Sequence, residues 1–182
     1  MRLIRRSLLA AFAFMALTLP LAAADLNNEI YLYTKDGRVT ILLRPDLAPK
    51  TVAQIKTLTK RGFYDGLKFH RVIEGFMAQT GDPTGTGTGS SDLPNVPAEF
   101  SKAHFKRGSV GMARADDPDS GNSQFFICFD EAGFLDGQYT LFGQVIDGMD
   151  VVDKIKKGSQ ADNGTVTDPD KIVKMELATD AK

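Results

Sequence analysis

The sequence predicts a single, mainly β domain: a barrel with helices at its ends. Three observations carry that reading. Short runs of β-favouring residues recur between Gly, Pro and Asp turns, only two stretches place apolar residues at helical spacing, and no segment repeats.

Taken in order, Glu29 to Thr34 and Arg38 to Leu43 flank Lys35-Asp36-Gly37 and read as a β-hairpin, with Asp-Gly supplying the positive φ of a tight turn. After Pro45 and Pro49 the period changes. Val52, Ile55 and Leu58 fall on one helical face that would close an end of the barrel, and Gly62 ends the pattern. Two short strands follow on either side of Glu74-Gly75, then a loop from Thr80 to about Pro97. Its glycines have the spacing of neither a P-loop nor a dinucleotide fingerprint, so it is read as an ordered surface loop. The stretch from Phe105 to Met112 leads into a strand. The acidic loop from Arg114 to Ser123, read as a calcium loop from Asp117, would put Asn122 at the glycine position and Cys128 at the bidentate Glu, which excludes that reading. Gln124 to Phe129 is apolar on both faces and marks a strand covered on both sides. Thr140 to Ile146 is a further strand, Met149 to Lys156 a short helix burying Val151, Val152 and Ile155, and Lys171 to Leu177 a last strand.

The first 24 residues stand apart. Arg2, Arg5 and Arg6 precede an apolar run from Leu8 to Leu19, and Ala22-Ala23-Ala24 offers a small-residue cleavage site, the pattern of a secretory signal peptide. Pro20 interrupts the run, which is shorter than the about 20 apolar residues of a spanning helix, so no stable membrane anchor is expected after cleavage. Arg5-Arg6 also leaves a twin-arginine route open. Residues 25–182 are then the folded domain, long enough to bury about 70% of the surface its unfolded chain exposes. Without the leader the chain keeps 19 basic against 23 acidic residues, a balance that argues against nucleic acid as partner. Cys128 is the only cysteine, so no internal disulfide is available, and its apolar setting marks it as a buried, inert thiol. His70 and His104 lack a ligand cluster and no nucleophile motif accompanies them, so no metal or hydrolase site is expected.

The anomaly is Arg71 and Gln79, a cation and an amide inside otherwise apolar strands. On strict alternation Arg71 shares a face with Phe69 and Ile73, and Gln79 with Met77, so both polar heads would emerge from an apolar groove. The segment from Phe69 to Pro83 resembles the hallmark of the cyclophilins, the peptidyl-prolyl cis/trans isomerases with F-H-R-[VI]-I…G-F-M-x-Q-x-G-D. The similarity recurs at Gly111-Met112-Ala113, at Ser123-Gln124-Phe125-Phe126-Ile127, and at Phe134-Leu135-Asp136-Gly137 followed by Phe142-Gly143, spanning about Glu29 to Leu177.

The resemblance implies a closed antiparallel β-barrel of about eight strands capped by two α-helices. It also implies isomerisation of X-Pro bonds in unfolded or partly folded polypeptides, assisting the folding of exported, periplasmic proteins. Rotation about the bond breaks no covalent link, so no cofactor is called for. A twisted prolyl nitrogen gains acceptor strength, and Arg71 is the donor expected to meet it. By resemblance Phe76, Met77, Phe126 and Leu135 form the proline pocket, Gln79 holds Arg71 or the substrate carbonyl, and Ala113 and Gln124 contact the substrate chain. Phe134, Tyr139 and Arg114 stand where many members carry Trp, His and Asn. Phe134 lacks the indole N–H, in a position that contacts cyclosporin in the family, while Tyr139 keeps an aromatic body with a polar tip. A monomer is expected, since no heptads are present. The competing classes are a non-catalytic proline-segment binder or holdase and an inert β-barrel interaction domain; a pure binder has no need of the fixed cation.

Overall fold

The expected hairpin forms between β1 (Glu29–Thr34) and β2 (Gly37–Leu43), paired from Thr34↔Gly37 to Glu29↔Leu42. Its positive φ falls on Gly37, at 142°, where a Cβ would stand 3.0 Å from Val151 of the second helix. The computed structural model describes residues 26–181, so the leader expected at 1–24 lies outside it.

Helix α1 (Pro49–Lys60) starts at Ala48, which offers no side-chain cap. The Glu99 carboxylate substitutes from a distant loop, accepting from Lys50 N at 3.0 Å and Thr51 N at 2.8 Å, two of the donors a helix start leaves unpaired. At the other end Gly62 turns left-handed (φ 67°). Gly62 N donates to Thr59 O and Phe63 N to Leu58 O, the paired bonds of a Schellman stop. Val52, Ile55 and Leu58 face the core as their spacing requires.

Strands β3 (Arg71–Ile73), β4 (Met77–Thr80), β5 (Ser109–Met112), β6 (Phe125–Cys128), β7 (Leu141–Asp147) and β8 (Lys174–Leu177) complete the sheet, and helix α2 (Met149–Asp153) follows β7. Ile155 is buried just beyond α2 rather than within it. All ladders are antiparallel, in the order β3-β4-β6-β5-β7-β2-β1-β8. Register shifts between Thr40 and Ile41 and between Val110 and Gly111 increase the twist and curl the sheet around its core.

Among the described residues the mainly β, eight-stranded, two-helix architecture is as expected. Closure is looser than a closed barrel: β3 and β8 end the sheet without a ladder between them, which makes a curled half-barrel. With three and four residues, these edge strands are too short to span the gap. Loop segments close it instead, through isolated bridges Lys68↔Lys171 and Arg71↔Thr165 and the bonds Phe69 N to Asp170 O and Ile172 N to Leu67 O.

Two apolar clusters use opposite faces of the same strands. Ile30, Leu32, Ile41, Val72, Ala78, Phe125, Ile127 and Phe142 belong to the interior. Met77, Phe105, Phe126, Cys128, Leu135 and Leu141 form a second cluster on the other face, with Ile73, Phe76 and Tyr139 against it. Strand β6 is therefore covered on both sides, as its unbroken apolar run predicts. Phe69 corrects the parity expectation: it lies in the interior, while Ile73 packs on the second cluster. The reason is local. Phe69 precedes β3, so strand alternation does not reach back to it.

Candidate active site

The site grows from one row of cross-strand neighbours. Arg71 on β3 pairs with Gln79 on β4, Gln79 with Phe126 on β6, and Phe126 with Gly111 on β5. Gly111 is required there: a Cβ would meet Phe126 Cζ at 2.4 Å and Phe105 Cε1 at 2.8 Å. Without it the Phe126 ring settles over β5 and stacks on Phe105, centroids 6.0 Å apart and 25° between planes.

The two polar members of the row belong to a relay of hydrogen bonds. Arg71 Nη1 donates to Gln79 Oε1 (3.2 Å), Gln79 Nε2 to Gln124 Oε1 (2.9 Å), and Gln124 Nε2 to the carbonyls of Gly87 (3.1 Å) and Gly89 (2.8 Å). On its other side Arg71 is gripped twice by Asn163, Nε donating to the backbone O at 3.0 Å and Nη2 to Oδ1 at 2.9 Å. Three of the five guanidinium N–H groups are thereby fixed, and two have no protein partner among the described residues. Burial draws the Arg71 pKa below its ordinary value, yet arginine starts so high that the group stays a cation. His70 beside it is buried; burial, with Arg71 adding, outweighs the opposing influence of Asp82 and Gln124 and holds its pKa below the ordinary imidazole value.

Asn163 is the residue that sequence reasoning missed. It sits in the left-handed region (φ 52°), in a turn secured by Gly164 N to Ser159 O and Thr165 N to Asp162 O. The only hint in the chain is Asn-Gly, a pair that tolerates positive φ.

Nine of the ten expected site residues line one cavity of about 330 Å³. Arg71 and Gln79 stand at one side, with Phe76, Met77, Ala113, Phe126, Phe134, Leu135 and Tyr139 as floor and walls. Phe76 and Phe134 pack at 5.2 Å on the rim, where Phe134 is 64% exposed. The tenth, Gln124, lines an adjoining cavity of about 410 Å³ that shares Gln79, Ala113 and Arg114 with the first. Cys128 is the cross-strand partner of Met77, fully buried, its thiol pushed up to about 12 by burial.

The rim is anchored by His104. One ring nitrogen contacts Asp136 and the other Glu131 (2.8 Å), carboxylates at either end of the segment that carries Phe134 and Leu135. Both nitrogens can donate only in the imidazolium form, and the contacts with Asp136 and then Glu131 raise the His104 pKa. A raised folded-state value means that this contribution is complete below the unfolded value near 6.5 and fades as pH rises through the higher, folded one. Amide shifts of Phe134 and Leu135 should accordingly titrate together with the His104 ring, and His104→Ala should abolish that titration.

Because Gln124 reaches Arg71 through Gln79, Gln124→Leu should lower kcat/KM by about tenfold, the value of one or two hydrogen bonds of ordinary strength. Steady-state kinetics on a prolyl peptide measures it, and an unchanged value would detach Gln124 from the relay.

A family model described as cyclophilin type peptidyl-prolyl cis-trans isomerase/CLD matches residues 29–177. A probable peptidyl-prolyl cis-trans isomerase of Brucella suis biovar 1 (strain 1330) is 56% identical over 192 residues, covering 97% of this chain and 98% of its own length. A peptidyl-prolyl cis-trans isomerase of Helicobacter pylori (strain ATCC 700392 / 26695) is 47% identical over 131 residues, 69% of this chain and 78% of the relative. Among solved structures, cyclophilin AquaCyp293 from Hirschia baltica superposes with a TM-score of 0.76 at 31% identity, over 87% of this chain and 76% of that one. A cyclophilin type peptidyl-prolyl cis-trans isomerase of Cryptosporidium parvum, crystallised in the presence of the dipeptide Ala-Pro, gives 0.74 at 28% identity, over 82% of this chain and 98% of the other.

Proposed function

Because the chain belongs to the cyclophilin-type peptidyl-prolyl cis-trans isomerases, and is therefore an isomerase, we propose that it turns X-Pro bonds in unfolded or partly folded polypeptides by binding the proline ring in the 330 Å³ groove beside Arg71. The observation that carries the reading is the Arg71 guanidinium, fixed by Asn163 and Gln79 with two N–H groups left over at the edge of a cavity whose floor includes Met77, Phe126 and Leu135.

Amide resonance opposes the rotation with a barrier of about 18–20 kcal/mol. In the twisted state the prolyl nitrogen recovers its lone pair and accepts a hydrogen bond that the planar ground state cannot, so a donor held there favours the transition state selectively. Phe126, Met77 and Leu135 contribute the rest by stripping water from an amide that is less polar when twisted. The Ala-Pro dipeptide present with the Cryptosporidium relative supports a proline-containing ligand for this chain. Export of a monomeric enzyme to the periplasm by a cleavable leader is part of the proposal, supported by the basic, apolar and small-residue pattern of residues 1–24.

Cis/trans exchange of an Ala-Pro peptide, followed by NMR exchange spectroscopy with the mature protein, tests this function. Acceleration together with shifts of Met77 and Phe126 resonances is the expected result. Binding without acceleration would leave a proline-segment binder or holdase, and acceleration without shifts in the groove would move the active site elsewhere.

A further inference from the structure

The groove and the cavity beside it share a cationic side chain that the rotation does not use, Arg114. Its guanidinium donates in two directions. Nη1 reaches Ala115 O at 2.8 Å and Asp116 O at 3.3 Å, on the segment leaving β5. Nε and Nη2 both reach Gln138 O, at 3.3 and 3.2 Å, on the turn entering β7. Arg114 Cζ also stands 4.6 Å from the centroid of the Tyr139 ring, and Tyr139 meets Phe126 edge-on at 5.9 Å and 81°.

These two segments have little else between them. Among the described residues, Met112 N to Thr140 O is the last backbone bond joining them, and the 113–116 and 134–139 stretches beyond it bond only within themselves or elsewhere. One side chain thus joins the two segments and covers the tyrosine ring that meets the phenylalanine of the floor.

We propose that Arg114 is a positioning residue for the groove: by clasping the 113–116 segment to the 138–139 turn it holds Tyr139 as a fixed wall for the proline ring. The inference rests on the groove being the substrate site. A planar fork suits the task because it donates to two carbonyl groups on one side and one on the other while its face covers the ring; a lysine ammonium has no such plane. The clasp preorganises a wall used alike by ground and transition states, so its loss falls on binding more than on turnover.

The test is a double-mutant cycle on the affinity for an Ala-Pro peptide, with kinetics alongside. Arg114→Ala is expected to raise Kd and KM about five- to twentyfold, with the larger share of the loss in KM rather than kcat. Tyr139→Ala should do the same, and the double variant should be no worse than either single one, because both remove the same wall. Arg114→Lys should recover little of the loss. Parent-like affinity in Arg114→Lys, or additive effects in the double variant, would overturn the clasp, since charge alone or two independent contacts would then suffice. A readout without peptide separates this from the groove reading: the Tyr139 ring protons should shift in ligand-free Arg114→Ala. Were the parent protein not to bind the peptide, the groove reading would fall, and the ring protons would still decide the clasp, unchanged resonances counting against it.

Discussion

Arg71→Ala should lower the catalysed exchange rate by about ten- to a hundredfold, the equivalent of one charge-assisted hydrogen bond of about 1.5–3 kcal/mol at about 1.4 kcal/mol per factor of ten. The loss should fall on kcat, with peptide affinity nearly retained, because the planar prolyl nitrogen of the bound ground state makes no such bond and the apolar walls remain. Arg71→Lys should rescue little. An ammonium can approach the substrate or the Gln79 and Asn163 acceptors, but it has no rigid fork to serve both at once. Exchange spectroscopy at matched protein concentration, with a peptide titration of each variant, separates the two effects. Equal rates in Arg71→Ala and the parent would remove Arg71 from the mechanism, whereas a fall in affinity matching the fall in rate would make it a binding residue.

Asp82→Ala should give the largest loss of stability. The carboxylate is buried at 1% exposure inside the glycine-rich loop, and the loop is wound around it: Oδ1 accepts from Thr84 N (2.7 Å) and Thr84 Oγ1 (2.8 Å), and Oδ2 from the amides of Thr86, Gly87 and Gly89. A Cβ on Gly89 would lie 2.1 Å from Oδ1, so the close wrapping depends on that glycine. Burial pushes the Asp82 pKa upward, but the Thr84 hydroxyl and the Thr84, Gly89 and Gly87 amides outweigh it and hold it at about 2. Removing the acceptor strands several amides, at a cost of about 2–4 kcal/mol, and should lower Tm by about 5–15 °C. Because the folded-state value is depressed, this stabilisation is complete above the unfolded value near 4 and disappears as pH falls from there towards 2. Thermal melts of parent and Asp82→Ala between pH 2 and 7 should therefore converge at the acid end. A constant difference across that range would mean that the loop is held by something other than the ionised carboxylate. The same substitution should also slow catalysis, since the Gly87 and Gly89 carbonyls that orient Gln124 belong to this loop.

What could be read in advance, and what could not, follows from how far each contact reaches along the chain. Arg71 and Gln79 stood out because a cation and an amide are poor occupants of apolar strands. Local grammar likewise marks the end of α1 at Gly62 and the first hairpin at Asp36-Gly37. Asn163 left no more trace than its Asn-Gly pair: its grip on Arg71 joins residues 92 positions apart through a turn with no periodicity to detect. The His104 anchor was hidden in the same way, because Glu131 and Asp136 come to it only through the folding of the rim. The parity argument failed at Phe69, where an extrapolated strand period met residues outside the ladder. Full closure was overestimated because strand count alone does not say whether the first and last strands of a sheet are long enough to pair.

The open ends of the sheet carry a consequence for contact with other polypeptides. A bare strand edge offers backbone donors and acceptors to any polypeptide that lies alongside, and would recruit it by strand addition and hold it. Here neither edge is bare. On β3, Val72 N donates to Gly164 O and Val72 O accepts from Gly158 N, while on β8, Met175 N donates to the Asp65 carboxylate. The 158–165 loop that steadies Arg71 therefore also occupies backbone groups on the β3 edge that would otherwise be open to strand addition.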